Sequence, residues 1–123
     1  MKRRKLTKEE RLTVYDKCHG YCAYCGNPLE YKDMQVDHVT PLYNGGADGL
    51  SNMLPACRSC NHYKSTLSLD KFRRMIDSIP NTLYRDSATY RIGRRFGKVT
   101  DNSRKTVFWF EKLEAENDNE KEL

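Results

Sequence analysis

An α+β fold class follows from three observations on this 123-residue chain. Two Cys-x-x-Cys pairs stand at 22/25 and 57/60, two short β-branched segments flank a glycine-rich loop between them, and helical apolar spacing occurs on either side. Together they predict a small ββα core stapled by a structural zinc on four cysteines, with flanking helices and a C-terminal strand or arm. At 37% hydrophobic content the chain supports one modest core. The expected organisation is a single domain over 1–110, with its motif core at 22–65 and a helical, basic extension at 66–110. An acidic, disordered tail is expected at 111–123.

The elements follow in order. Thr7 with Glu10 three residues later is a capping-box pattern, and Leu12, Tyr15 and Cys18 continue at helical spacing to Gly20, so helix one covers 8–18. "CAYCGNPLEY" is a knuckle with Gly-Asn-Pro turn chemistry, and Met34 to Thr40 is a strand closed by Pro41. "NGGADGLS" is a loop, because three glycines in five residues disfavour any regular element. A second strand runs from Asn52 to Ala56, and a helix begins near Arg58 and ends at Lys64 or Ser65. Leu69, Phe72, Ile76 and Ile79 form an amphipathic stripe that Pro80 closes. The basic stretch 82–97 reads as a helix end or a loop. "KTVFWFEKL" is β-branched and aromatic, hence the strand or arm.

Charge divides the chain. Residues 1–11 hold six Lys/Arg against two Asp/Glu, residues 71–105 hold ten against three, and residues 111–123 hold two against six, for a net +5. A basic body favours a polyanionic partner such as nucleic acid. No apolar run reaches 18 residues and no apolar stretch follows the charged start "MKRRKLTKEER", so no membrane partner is expected and the location expected is cytoplasmic. In a reducing compartment, five cysteines read as thiols or metal ligands rather than a disulfide framework.

The two Cys pairs have 31 residues between them, and in each the two-residue spacer lets both thiolates reach one tetrahedral ion. Cys22, Cys25, Cys57 and Cys60 are therefore the predicted structural zinc ligands. Cys18 lies outside the pattern and reads as a helix residue, with His19 as a helix-end residue. Zinc bound in such a site contributes on the order of 10–16 kcal/mol of apparent folding free energy in small domains.

One strand carries chemistry. In "QVDHVTPLYNGG", Asp37 and His38 stand between two valines. An imidazole titrates near physiological pH and can take a proton from water. Side chains alternate along a strand, so a shared site for both residues requires a turn or bulge nearby, which Pro41 and the glycine loop permit. Asn52 can bond loop backbone with both its amide donor and its carbonyl acceptor.

The segment "CAYC…MQVDHVTPLYNGGADGLSNMLPACRSCNHYKS" resembles the HNH endonuclease family, whose core is a ββα-metal nuclease fold. The resemblance covers residues 22–65. It implies His38 as general base, Asp37 and Asn61 as ligands of a catalytic divalent cation, and Asn52 as the organiser of the loop. Asn61 occupies the motif position where many members carry His, and the adjacent His62 is its rival as ligand. A carboxylate with an amide makes an oxygen-only site, which suits magnesium or manganese. The implied reaction is DNA phosphodiester hydrolysis giving 5′ phosphate and 3′ hydroxyl, with Arg58, Lys64, Arg91, Arg94 and Arg95 as candidate nucleic-acid contacts. Tyr84, Tyr90 and Phe96 read better as core than as base-stacking residues. A phage or mobile-element source is in keeping with the resemblance.

Two other readings stand beside this one. A noncatalytic zinc-stabilised DNA-binding module would keep the scaffold without needing Asp37, His38 and Asn61 together. A dithiol redox protein would place one CxxC on a strand-to-helix turn of a βαβ unit, which the paired knuckles do not fit. Whether the chain works alone, as a homodimer or with an accessory protein is left open, as is nicking against double-strand cleavage.

Overall fold

The computed structural model of the chain describes residues 4–122, with side chains through residue 118. Six helices and one two-stranded antiparallel sheet are formed among the described residues. In chain order these are α1 (Lys8–Asp16), β1 (Gln35–His38), β2 (Met53–Ala56), α2 (Arg58–Lys64), α3 (Leu69–Asp77), α4 (Ile79–Asp86), α5 (Ala88–Arg95) and α6 (Trp109–Glu122). The chain divides into two compact units, one of residues 1–69 with 107–123 and one of residues 70–106. The boundary expected from the sequence, at 110–111, separates a domain from an acidic tail.

In the first unit, α1 starts where its cap dictates. The Thr7 hydroxyl accepts from the Glu10 N–H at 3.1 Å and the Glu10 carboxylate accepts from the Thr7 N–H at 3.1 Å, which satisfies two of the orphan donors of the first turn. Strands β1 and β2 pair with Gln35 opposite Ala56, Val36 opposite Pro55, Asp37 opposite Leu54 and His38 opposite Met53. Val14 of α1 meets Leu29, Met34, Val36 and Met53 in the buried core, with Leu6, Tyr15, Tyr31 and Leu50 packed around it. Tyr15 can sit in this apolar setting because its hydroxyl donates to the Leu29 carbonyl at 2.6 Å.

Between the strands the chain turns tightly at Pro41–Gly46. Gly45 adopts φ +84°, and the Gly46 N–H donates to the Pro41 carbonyl at 3.0 Å. A Cβ at position 46 would lie 1.8 Å from the Thr40 carbonyl oxygen and 2.9 Å from that of Pro41, so only glycine fits. Gly46→Ala is expected to lower stability by roughly 1–3 kcal/mol or more, as overpacking against backbone does. A denaturant melt matching that of the unaltered protein would show the turn to be built differently.

One expectation needs correction. Residues 105–113 do not form a strand: the chain is helical from Trp109 to Glu122. The physical reason lies at its start, where the Glu111 carboxylate accepts from the Phe108 N–H at 2.9 Å, a side-chain cap that a strand would not use. The aromatic residues that suggested a strand serve packing. Phe108 and Phe110 stand edge-on to Tyr24, with centroids at 5.3 and 6.2 Å. The Trp109 N–H donates to the Tyr24 carbonyl at 3.2 Å and that of Phe110 to the Ala23 carbonyl at 2.8 Å.

The single helix expected for Leu69, Phe72, Ile76 and Ile79 is two: α3 ends at Asp77, Ile79 already belongs to α4, and Pro80 opens that helix rather than closing the first, at a position where its missing N–H costs nothing. The stretch 82–97 is mostly helix, α4 and α5, with the Ser87 hydroxyl capping α5 by accepting from the Tyr90 N–H at 3.1 Å. Phe96 and Tyr84 are not core residues: they are 73% and 53% exposed. No helix of the described residues is long and apolar enough to cross a membrane.

Candidate active site and metal centre

The four predicted zinc ligands converge. Each thiol sulfur of Cys22, Cys25, Cys57 and Cys60 lies within 4.8 Å of the other three, and those of Cys25 and Cys57 are 3.9 Å apart. Zn–S bonds of about 2.3 Å in a tetrahedron require sulfur–sulfur edges of roughly 3.8 Å, so the cluster is placed to hold one metal ion and its donor set fits zinc. Local backbone prepares it. The Cys22 sulfur accepts from the Cys57 N–H at 3.3 Å, and the Cys57 sulfur accepts from the Cys60 N–H at 3.4 Å, where Cys57 also serves as the N-cap of α2. A hydrogen bond from the Cys60 thiol, followed by backbone N–H groups led by that of Cys57, holds the Cys22 thiol below its ordinary range against the opposing effect of burial. Cys18 stands outside the cluster, buried, and that burial pushes its thiol up to about 11. Gly26 closes the first knuckle at φ +75°, with the Trp109 ring 3.1 Å from where a Cβ would stand.

Asp37 and His38 occupy the end of β1, both nearly inaccessible at 3% and 4%. Strand alternation would send them to opposite faces, yet both line one cavity of about 230 Å³ together with Pro41, Leu42, Tyr43, Ser65 and Thr66. His38 is the last residue of β1, and the chain leaves the ladder for the Pro41 turn immediately afterwards. Asn52 fixes that departure. Its carbonyl oxygen accepts from the Thr40 N–H at 2.9 Å, and its amide nitrogen donates to the carbonyls of Thr40 at 2.9 Å and Ala47 at 2.8 Å. Ser65, on the cavity wall and at the end of α2, holds φ +48° without being glycine, a strained conformation of the kind that collects at functional sites.

Lys64 is not a surface phosphate contact. It is fully buried, its ammonium lying 3.1 Å from Asp37 Oδ2 and donating to the His38 carbonyl at 3.1 Å. A buried lysine survives only when paired and bonded, and both conditions are met here. The Tyr24 hydroxyl donates to the same Asp37 Oδ2 at 2.5 Å. Burial first, and then the negative charge of Asp37, drives the Tyr24 phenol upward, so it stays a donor. Tyr24 stands between the two cysteines of the first knuckle, and nothing in the residue pattern marks it except its place inside "CAYC".

Along α2, Cys57, Cys60, Asn61 and Lys64 fall at i, i+3, i+4 and i+7 and so share one face. His62 does not share it: with Arg58, Ser59 and Tyr63 it lines a separate surface hollow. Neither Asn61 nor Asn52 is among the residues lining the Asp37–His38 cavity.

A partner of His38 was missed in the sequence. His38 Nε2 lies 2.9 Å from Asp48 Oδ1, and Asp48 is gripped from the N-terminal segment, its Oδ2 accepting from the Arg4 N–H at 2.8 Å and its carbonyl from Arg4 Nε at 3.2 Å. A lone carboxylate in "GGADG" reads as a turn residue, and only the fold brings it to the imidazole.

In the second unit, Arg91 donates to the carbonyls of Tyr84 at 2.7 Å and Arg85 at 3.1 Å. Arg94 pairs with Asp101 at 2.9 Å and lies over the Tyr84 ring at 5.8 Å. These two and Arg95 line an open hollow with Tyr84, Ala88 and Ile92. Of the N-terminal basic stretch 2–5, positions 2 and 3 lie outside the described residues.

Residues 22–66 match the family profile described as HNH endonuclease. That stretch is similar to an HNH module. Over 44 residues, 35% of this chain, the sequence is 34% identical to the CRISPR-associated endonuclease Cas9 of Corynebacterium diphtheriae, and it covers 4% of that protein. Over 73 residues, 47% of this chain, it is 30% identical to the SPbeta prophage-derived protein YoqL of Bacillus subtilis, whose name carries an inferred HNH endonuclease assignment, and covers 30% of it. The chain thus spans less than a third of either curated relative. The crystal structure of the type II-C Cas9 enzyme from Actinomyces naeslundii superposes with a TM-score of 0.51 at 18% identity, over 90% of this chain and 14% of that one, a likeness of fold. The thiols of Cys22, Cys25, Cys57 and Cys60, with Tyr24, Asp37, His38, Asp48, Asn52, Asn61 and Lys64, lie inside the matched stretch, while Arg4, the aromatic residues 108–110 and the arginines of α5 lie outside it.

Proposed function

We propose that this chain is a metal-dependent endonuclease that hydrolyses DNA phosphodiester bonds at the Asp37–His38 cavity. One observation carries the reading: within the matched stretch, a carboxylate and an imidazole at a strand end line the same open cavity. In this mechanism His38 takes the proton from the attacking water, and Asn52 holds the loop that frames it. Asp37 and Asn61 hold the cation. The donors suit a hard ion: Tyr24 and Lys64 engage only Oδ2 of Asp37, which leaves Oδ1 to be offered, and Asn61 rather than His62 shares the α2 face of Lys64. Magnesium or manganese bound there would neutralise charge on the scissile phosphate and stabilise the leaving 3′ oxygen. Exposed Arg58 in the first unit would contact the phosphate backbone, and Arg91, Arg94 and Arg95 of α5 are candidate phosphate contacts of the second unit. The products would be 5′ phosphate and 3′ hydroxyl.

A noncatalytic DNA-binding module is the second reading, and the observation that favours it is the Asp37–Lys64 pair, which already gives the carboxylate a buried countercharge. Incubation of zinc-loaded protein with supercoiled plasmid, in magnesium, manganese, added zinc or chelator, separates the two. Metal-dependent nicking supports the nuclease; no cleavage in any lane, with plasmid still bound, supports the module. On either reading, affinity for duplex DNA should fall tenfold or more between about 50 and 200 mM salt, because phosphate contacts release counterions. Salt-indifferent binding in a titration would remove the phosphate contacts from the account.

A further inference from the structure

We infer that Asp48 is a positioning residue that fixes the His38 ring with its hydrogen on Nε2, so that Nδ1 is the nitrogen that takes the proton from water. The inference deepens the nuclease reading above and rests on it for the words "from water"; the tautomer itself does not.

The argument begins with the hydrogen bond. His38 Nε2 and Asp48 Oδ1 are 2.9 Å apart, and one of the two must donate. The Arg4 backbone N–H, then the His38 ring, hold the Asp48 carboxyl below the usual carboxylate range, and an ionised carboxylate accepts only. The hydrogen therefore sits on Nε2. A ring acting as general base must be neutral, and a neutral imidazole with Nε2–H has its lone pair on Nδ1. Asp48 also holds the ring in plane, since rotation of the imidazole about its bond to Cβ would break the contact.

Asp48 could not do this on a loose loop. Four bonds fix the loop around it: two from Arg4 to Asp48, one from Asn52 to the Ala47 carbonyl, and the pair from Arg4 to Glu10 at 2.8 Å, which anchors Arg4 on α1. The Asn52 N–H donates to the Gly49 carbonyl at 2.9 Å just beyond. The chain of contacts from the α1 cap through Arg4 and Asp48 to the imidazole lies entirely within the first unit. Ordering by such a partner is worth about 10–100-fold where a ligand or base depends on orientation.

The test uses the full, zinc-loaded chain labelled with ¹⁵N in histidine. Long-range ¹H–¹⁵N spectra read which ring nitrogen carries the hydrogen, with the His38 signals assigned by their loss in His38→Ala. The unaltered protein should show His38 with Nε2–H. Asp48→Ala should lose that preference and lower kcat on plasmid about 10–100-fold with KM within about twofold, and Asp48→Glu should restore part of both. Should Asp48→Ala not fold, Asp48→Asn serves, because an amide can donate to or accept from the ring and should leave a mixed tautomer. An Asp48→Ala or Asp48→Asn protein that keeps the Nε2–H tautomer and full kcat overturns the inference. A tautomer that follows Asp48 in a protein with no cleavage activity leaves the positioning intact and removes the nuclease reading instead.

Discussion

His38→Ala should lose DNA cleavage by at least about 10²–10⁴-fold, the range that general-base catalysis supplies, while keeping its fold and one equivalent of zinc. The separation of the two outcomes is structural. The backbone of His38 carries the structural bonds: its carbonyl accepts from Lys64 and its position closes the β1–β2 ladder opposite Met53. Both survive in alanine. The side chain contributes one hydrogen bond, to Asp48, and none of the four thiols depends on it. A plasmid assay in magnesium and in manganese, run beside a thermal melt and a zinc determination, checks all three statements. Cleavage by a folded His38→Ala protein at the unaltered rate would end the mechanism proposed here.

Cys57→Ala, or exhaustive chelation, should unfold the first unit. Cys57 has four tasks at once. It offers a thiol to the cluster, it caps α2 through the Cys60 N–H, its own N–H bonds the Cys22 sulfur, and its side chain packs against the core. A structural zinc in a small domain is worth on the order of 10–16 kcal/mol apparent, as large as the whole net stability of most domains, about 5–15 kcal/mol. Loss of the ion therefore leaves little to hold two four-residue strands and a seven-residue helix together. Far-UV circular dichroism and the dispersion of amide signals, before and after chelation, report the result. A chelated protein with native dispersion and an unchanged melt would show that the thiols are only packing.

The ββα frame was legible because its signals are local and covalent. Two CxxC spacings can bring four thiols within reach of one ion, the Thr7–Glu10 box names its own helix start, and the glycines at 45 and 46 demand a turn. The partners within the site were not legible, because each depends on contacts across many residues. Lys64 looks like any surface lysine until Asp37 and the His38 carbonyl are seen around it, 26 residues away for the latter. Tyr24 bonds Asp37 across 13 residues and Asp48 reaches His38 across 10, distances at which no periodicity speaks. The last helix was misread as a strand because "TVFWF" has β propensity, and propensity yields to tertiary packing wherever aromatic rings find partners. The arginines of α5 were legible as charge but not as a surface already bonded internally, which the carbonyl contacts of Arg91 and the Asp101 pair of Arg94 reveal.

The division of the chain into 1–69 with 107–123, and 70–106, changes what counts as the beginning and end of the module. The matched segment ends at 66, yet Phe108, Trp109 and Phe110 pack on Tyr21 and Tyr24 and bond the backbone of the first knuckle. The second unit is thus an insertion, threaded between a motif and the piece that covers it. Until residues 108–110 have been synthesised, the knuckle that carries Cys22, Cys25 and the tyrosine holding Asp37 lacks these ring contacts and backbone bonds. The packing around Tyr24, which holds Asp37, is therefore completed by residues 108–110, and a truncation after residue 66 would remove part of what orients that carboxylate without touching a residue of the matched stretch.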